Sequence, residues 1–291
     1  MAPARNEVWG KLDSGLEPTP PKSNASRVNS RLQDLSIVVV GGTTGMGLAA
    51  AKALVAEGAK LVVVGRNPES GAKALEELGE NARLVTGDAT DPSTAEQAVQ
   101  LAVSEFGQLD GLYHVAGGSG RKWGDGPLHE LTDEGWQKTI DLNLTTLMNS
   151  NRAAVQQLRK QGKGGSILNM GSVLGFSPSP DFFSTHAYAA TKAAAIGFTK
   201  SCAAYYAKDN IRFNLIAPAL VETPMAQRAA QDDEILGFIK HKQPLDGGRI
   251  GKSSDLDEAA ILFLSPGSNF ITGQVLAVDG GWTHSEGGPK S

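Results

Sequence analysis

The run Ser36-Ile-Val-Val-Val40 passes directly into Gly41-Gly-Thr-Thr-Gly45-Met-Gly47 and then into the alanine-rich stretch Leu48-Ala-Ala-Ala-Lys-Ala-Leu-Val-Ala-Glu-Gly58. A short β-branched run is the pattern of a strand covered on both faces. The alanines favour a helix, which Gly58 can close. Lys60-Leu-Val-Val-Val-Gly65 supplies a second strand and completes a βαβ unit. Few folds accept this order, and all of them need a parallel sheet. Between strand and helix, glycines at 41, 45 and 47 let backbone N–H groups approach a ligand closely. The helix dipole there favours negative charge, so the turn suits a pyrophosphate.

After the second strand, a dinucleotide fold selective for NAD usually carries an acidic side chain for the ribose 2′-hydroxyl. This chain has Gly65 and then Arg66. An arginine fork can pair with a 2′-phosphate, which favours NADP over NAD, although Arg66 also reads as an ordinary surface residue.

The alternation continues along the chain. A polar helix near 70–79 precedes a strand at Arg83–Asp88, and a helix from about Pro92 to Phe106, capped by Asp91, precedes the strand Leu109–Ala116. A long helix begins near Thr132 and contains Asn143; Gly164–Ser172 forms a fifth strand and Asn210–Pro218 a sixth. A stretch from Val221 to about Gly248 reads as flexible with a helix in its middle. Asp255–Leu264 is helical, and Ile271–Asp279 is the last strand. Unbroken βα alternation predicts one α/β domain, a doubly wound, seven-stranded, mostly parallel sheet with helices on both faces. The loop Val173–His186 carries Phe176, Phe182, Phe183, Pro178 and Pro180, which suggests an apolar wall or an interface patch.

The ends bound the domain. Residues 1–34 hold scattered prolines, serines and charges, and read as an extension without secretory or transit character; residues 283–291 read as a loose tail. A net charge of -4 leaves no basic footprint for nucleic acid, and no apolar run has the length of a membrane span. The single cysteine, Cys202, excludes an internal disulfide and a multi-cysteine metal site, and a reducing, cytoplasmic setting is expected.

In Tyr188-Ala-Ala-Thr-Lys192, four-residue spacing on a helix puts a phenol beside an ammonium. A fixed cation there would lower the phenol's pKa and make it a proton donor and acceptor near neutral pH. Alone, the pair fits a packed tyrosine beside a solvated lysine better than a site.

Taken together in order, the Gly41/Gly45/Gly47 turn, Asp88, Ala116-Gly117, Asn143, Ser172, Tyr188-x3-Lys192, Pro218, Thr223 and Thr272–Gly281 resemble the short-chain dehydrogenase/reductases, over roughly residues 34–282. The resemblance implies a single Rossmann-type domain and a catalytic tetrad of Asn143, Ser172, Tyr188 and Lys192. It gives Tyr188 the proton transfer, Ser172 the substrate oxygen, Lys192 the nicotinamide ribose and the phenol's pKa, and Asn143 a water in the proton path. It implies phosphate and ribose contacts from Thr43, Thr44 and Met46, adenine contacts from Asp88 and Ala89, and carboxamide contacts from Val221 and Thr223. Ala116, Gly117 and Pro218 would border the cofactor, and Ser172, Phe182, Phe183 and Tyr188 the substrate. No metal is implied. A homotetramer or homodimer, with the Asn143 and Tyr188 helices at an interface, is also implied.

Three departures stand out. His114-Val115 replaces the family's Asn-Asn before Ala116-Gly117, so side-chain bonds bracing the sheet are lost or made otherwise. His114 reads as a satisfied core histidine. Ala219 replaces a glycine after Pro218, and Ser172 and Tyr188 stand a few residues further apart than usual. The resulting expectation is an NADP-dependent enzyme interconverting a ketone and a secondary alcohol. A 3-oxoacyl-thioester (acyl-carrier-protein) reductase would use Arg121 and Lys122 as a basic patch, opposed by Asp125 and Asp181 in the same loops. A non-catalytic dinucleotide sensor or scaffold is the alternative from another class.

Overall fold

In the computed structural model, which describes residues 30–223, 226, 229 and 231–286, β1 (Ser36–Val40) is buried along its whole length. Its side chains alternate: Ile37 and Val39 enter one core layer, Val38 and Val40 the other. That double coverage is why the strand is uniformly apolar rather than alternating. Strands β2 (Lys60–Gly65), β3 (Ala82–Thr86), β4 (Gly111–His114), β5 (Gly165–Met170), β6 (Ile211–Pro218) and β7 (Val275–Val278) complete one sheet of order β3-β2-β1-β4-β5-β6-β7. Every pairing is parallel, so the sheet is wholly parallel where a mostly parallel one was expected. Val38 is opposite Val62 on β2 and Leu112 on β4, which fixes the register at the centre.

Helices α1 (Gly45–Ala56), α2 (Pro68–Leu78) and α8 (Asp257–Leu264) cover one face, through residues such as Leu54, Leu78 and Phe263. Helices α3 (Pro92–Phe106), α5 (Thr146–Gln161) and α6 (His186–Tyr206) cover the other, through Ala98, Ala154 and Ala203. Asp91 caps α3 by accepting from the Ser93 amide, as its position suggested. The chain reverses its winding between β1 and β4, so the carboxyl ends of those two strands open a crevice, the usual ligand site of such sheets. None of the described helices is long and apolar enough to cross a membrane.

The long helix expected from Thr132 is interrupted. α4 (Asp133–Ile140) passes through a π-helical turn, Asp141–Thr145, before α5 resumes. Such turns insert an extra residue and often sit at functional positions. Here the turn carries Asn143.

Contacts with the domain also continue on either side of residues 35–282. Leu32 is fully buried against Leu54 and Ala59 of the α1 side, and Arg31 bridges Glu57 and Glu258 at 2.6 and 2.7 Å. At the other end, Thr283 bonds Asp279 at 2.7 Å, and Ser285 exchanges hydrogen bonds with Lys242 at 2.6 and 2.7 Å. Residues 1–29 of the expected extension and 287–291 of the expected tail lie outside the described residues. The 221–248 stretch contains α7 (Asp233–Lys242), and its ends are tied by Gln243 to Leu220 and by a bridge from Val221 to Gly251. Residues 224, 225, 227, 228 and 230 within it are outside the described set.

Leu32→Ala is expected to cost about 2–5 kcal/mol of stability, as for other fully buried leucines. An unchanged denaturation midpoint would return residue 32 to the extension. Burial beside Glu258 and Asp255 pushes the Asp257 carboxyl up to about 6, and one of its oxygens has no hydrogen-bond partner. With the folded pKa above the unfolded value, its contribution is favourable at low pH and is lost as pH rises through about 6. Asp257→Asn should therefore stabilise the protein at pH 8, by about 1 kcal/mol after solvent screening, and converge on wild type below about pH 4. Melting curves across that range are the measurement, and a uniform shift at all pH values would contradict the assignment.

Candidate active site

The glycine turn is built by close approach. Gly41 has φ +85, and a Cβ on it would stand 2.8 Å from the Ala116 amide nitrogen at the end of β4. A Cβ on Gly47 would collide with the Gly41 carbonyl oxygen, and one on Gly65 would collide with the Thr43 side chain. The turn therefore lies flat across the strand ends and delivers the start of α1 to the crevice. Thr44, the residue before α1, leaves those first amides uncapped by its side chain.

The crevice along this turn encloses about 1100 Å³ of partly open space. It is bordered by Gly41, Thr43, Thr44, Gly45, Met46 and Gly47 on one side. Arg66, Asp88, Ala89, Ala116, Gly117 and Thr223 border it as well, so these twelve expected contacts share one space. The Thr90 amide and hydroxyl, each 2.9 Å from Asp88 Oδ1, hold that carboxyl below the usual carboxylate range, and the Arg66 charge adds to the effect. The residues present fit a dinucleotide: amides left uncapped by Thr44, glycines that let the turn pack tightly on the strand ends, and an exposed guanidinium on the border.

A second cleft of about 1090 Å³ continues from the first past Met46, Val115, Gly117 and Thr223. Ser172, Tyr188, Lys192, Pro218, Val221 and Phe183 line it. Ser172 follows β5, where its hydroxyl accepts from the Leu174 amide at 3.2 Å and faces the Tyr188 phenol. Tyr188 and Lys192 stand one turn apart on α6, with the ammonium 5.4 Å from the tyrosine ring centre. The Lys192 ammonium donates to the Met170 carbonyl at 3.1 Å. Asn143 clasps the end of β4: its Nδ2 donates to Gly118 O at 2.8 Å and its Oδ1 accepts from Gly118 N at 3.1 Å. A Cβ on Gly117 would meet Asn143 Oδ1 at 2.8 Å and Lys192 Nζ at 3.5 Å, so both reach the same point.

Two expectations are corrected. The phenol is not depressed by Lys192: burial pushes Tyr188 up to about 12, with the Ser172 hydroxyl opposing, while burial pulls Lys192 down to about 8. Phe182 does not line the cleft; its ring packs on Phe238 at 5.1 Å, behind Phe183. Phe183 and Phe238 in turn meet Trp282 edge-on at 5.8 and 5.7 Å, and the indole N–H donates to Ser177 O at 3.3 Å. Phe183 and Trp282 line the cleft, and Phe238 of α7 packs against Trp282 from outside the lining. Trp282 and Thr185 both border it, and neither was expected from the sequence; only the glycine pair before Trp282 hinted at a turn there.

His114 is the satisfied core histidine expected. Its Nδ1 lies 2.8 Å from Ser150 Oγ and its Nε2 3.4 Å from Thr146 Oγ1, and burial pulls it down to about 3, leaving it neutral. A buried network also braces the neighbouring strand β5. Asn151 and Asn169 exchange bonds at 2.9 and 3.1 Å, and Asn169 donates to Thr199 Oγ1 at 3.1 Å.

A family model described as enoyl-(acyl carrier protein) reductase matches residues 40–283. The chain is 33% identical over 248 residues to a cis-4-hydroxycyclohexanecarboxylate dehydrogenase of Sinomonas cyclohexanicum, covering 84% of this chain and 95% of that protein. It is 33% identical over 245 residues to a 3-oxoacyl-(acyl-carrier-protein) reductase of Escherichia coli, with coverage of 84% and 95%. An NADP-dependent (R)-specific alcohol dehydrogenase of Lentilactobacillus kefiri is 32% identical over 260 residues, with coverage of 88% and 99%. The solved structure of a short-chain type dehydrogenase/reductase from Mycobacterium ulcerans superposes with a TM-score of 0.81 at 32% identity, covering 88% of this chain and 92% of that one. With its parallel sheet, its glycine turn and its Tyr-x3-Lys helix, the chain belongs to the short-chain dehydrogenase/reductase family and is an oxidoreductase of CH–OH groups.

Proposed function

We propose that the protein interconverts a ketone and a secondary alcohol with NADP, using Tyr188 as the general acid and base. The observation that carries this reading is the convergence of Ser172, Tyr188, Lys192 and the Asn143 clasp on one cleft that opens into the glycine turn. The dinucleotide, when bound, supplies or takes up the hydride. Gly41–Gly47 and the first amides of α1 would hold its phosphates, Arg66 its 2′-phosphate, and Val221 and Thr223 its carboxamide end.

In the reducing direction, Tyr188 donates its phenolic proton to the carbonyl oxygen while Ser172 polarises that oxygen. With the phenol near 12 and the ammonium near 8, both carry a proton at neutral pH, the state that reduction needs. Lys192 would bind the ribose and return a proton to Tyr188 along a path that Asn143 would continue. In oxidation the phenol gives up its proton first, so that direction gains from higher pH. Apolar walls from Val173, Leu174, Phe183, Leu220 and Trp282 exclude water and suit an apolar ketone.

A second reading, reduction of a 3-oxoacyl thioester, is supported by the Escherichia coli relative and by one feature of the mouth. Asp125, expected to oppose Arg121 and Lys122, is turned inward and only 4% exposed. The family resemblance supports a homodimer or homotetramer, and Trp136 on α4 and Tyr205 on α6 are 43% and 59% exposed.

Tyr188→Phe should lower turnover of NADPH with a panel of ketones by about 10²- to 10⁴-fold, the usual loss for a general acid. A wild-type protein that binds NADPH tightly yet turns nothing over would favour the sensor alternative. Arg66→Ala should weaken NADPH about ten-fold or more while leaving NADH nearly unchanged, since a charged hydrogen bond to phosphate is lost. Equal effects on the two nucleotides, measured by fluorescence titration, would remove the 2′-phosphate role.

A further inference from the structure

Helix α6 carries Tyr188 and Lys192, and its first amides need acceptors from outside the helix. The residue in the ordinary capping position, Thr185, makes no side-chain cap. A segment far upstream supplies all three acceptors instead. Gly126 O accepts from the His186 amide at 3.3 Å, Asp125 Oδ1 from the Ala187 amide at 3.0 Å, and Asp125 Oδ2 from the Tyr188 amide at 3.0 Å. The fourth amide, Ala189, already bonds within the helix to Thr185 O at 3.0 Å.

The clamp is itself held rigidly. The Asp125 amide bonds Gly120 O at 3.2 Å, Thr132 of the α4 cap bonds the Trp123 carbonyl at 2.7 Å, and Gly120 packs against Thr139. The other end of the same loop is Gly118, fixed by both arms of the Asn143 carboxamide. One loop therefore runs from the Asn143 clasp to the backbone of Tyr188, and Gly117, Gly118, Ser119 and Arg121 within it line the cleft.

We propose that Asp125 is a positioning residue for Tyr188: its buried carboxylate, spanning two successive amides, fixes the phenol relative to Ser172 and to the Asn143 clasp. The chemistry suits the task. A carboxylate has two acceptor oxygens and can hold both amides at once, and its charge is favourable at a helix start. A hydroxyl or an amide side chain has one oxygen to offer.

The inference rests on the oxidoreductase reading, and the two can fail separately. Asp125→Asn and Asp125→Ser each keep one acceptor oxygen for a helix amide while losing the two-oxygen grip, and a melting temperature close to that of the wild type shows that the fold is kept. In both variants kcat for ketone reduction should fall about ten-fold or more, because small misplacements of a reacting group are costly. NADPH binding, read by fluorescence, should stay within about two-fold. In a Tyr188→Phe background the same substitutions should change the residual rate by less than about two-fold, since the group being positioned is already gone. Wild-type kcat in both variants, or an equal loss in the Tyr188→Phe background, would overturn the proposal. If the wild-type protein reduces no ketone, the functional reading fails, and amide hydrogen exchange over residues 186–192 decides the clamp. Faster exchange confined to that segment in Asp125→Asn upholds it, and unchanged exchange removes it.

Discussion

The three hydrogen bonds of the Asn143 carboxamide hold together two parts of the chain that nothing in their local sequence joins. Two of them seize Gly118 beyond β4, and the third returns to Thr139 O at 2.9 Å. A regular helix from Asp133 to Gln161 would not supply this arrangement, because the π-helical turn shifts the register of the helix beyond it. The turn costs helical hydrogen-bond geometry. It is stabilised where it ends: Thr146 Oγ1 donates to Leu142 O at 2.8 Å and also faces His114. The π-helical turn, the neutral histidine and the clasp are thus one assembly. Its position beside Lys192 is set by how tightly Gly117 lets the groups approach.

The sequence made some of this legible and concealed the rest for physical reasons. Ser36–Val40 and Lys60–Gly65 were readable because burial on both faces leaves a continuous β-branched run, and nothing else in the chain imitates it. Tyr188 and Lys192 were readable because helical spacing is a local property. The ionisation of that pair was not, because it depends on how much water the neighbouring elements remove, and at Tyr188 desolvation outweighs the hydrogen bond from Ser172. Asp125 looked like a surface acid, since its partners lie 62 and 63 residues away and no local pattern announces them. Leu32 was hidden by the polar residues before it, although its own burial is complete.

His114 shows how a departure from a family pattern can be absorbed. The imidazole sits at the end of β4, and Ser150 of α5 and Thr146 at the start of that helix meet the two ring nitrogens. Buried polar groups are costly unless every one is paired, and here both ring nitrogens have partners. The adjoining Asn151–Asn169–Thr199 chain carries the bracing across β5 to α6. The central sheet is therefore secured by side chains from helices on the same face as Tyr188 and Lys192.

The aromatic roof has a different character from this floor. Phe183 and Trp282 line the cleft with Phe238 and Phe182 packed beyond them; the four rings come from three separate segments and meet by ring contacts. Ring packing tolerates changes of size and shape better than paired polar groups do. Lengthening the Val173–His186 loop therefore reshapes the roof without disturbing the floor. Substitutions among those rings therefore change the shape of the cleft while leaving the hydrogen bonds around Asn143 and His114 in place.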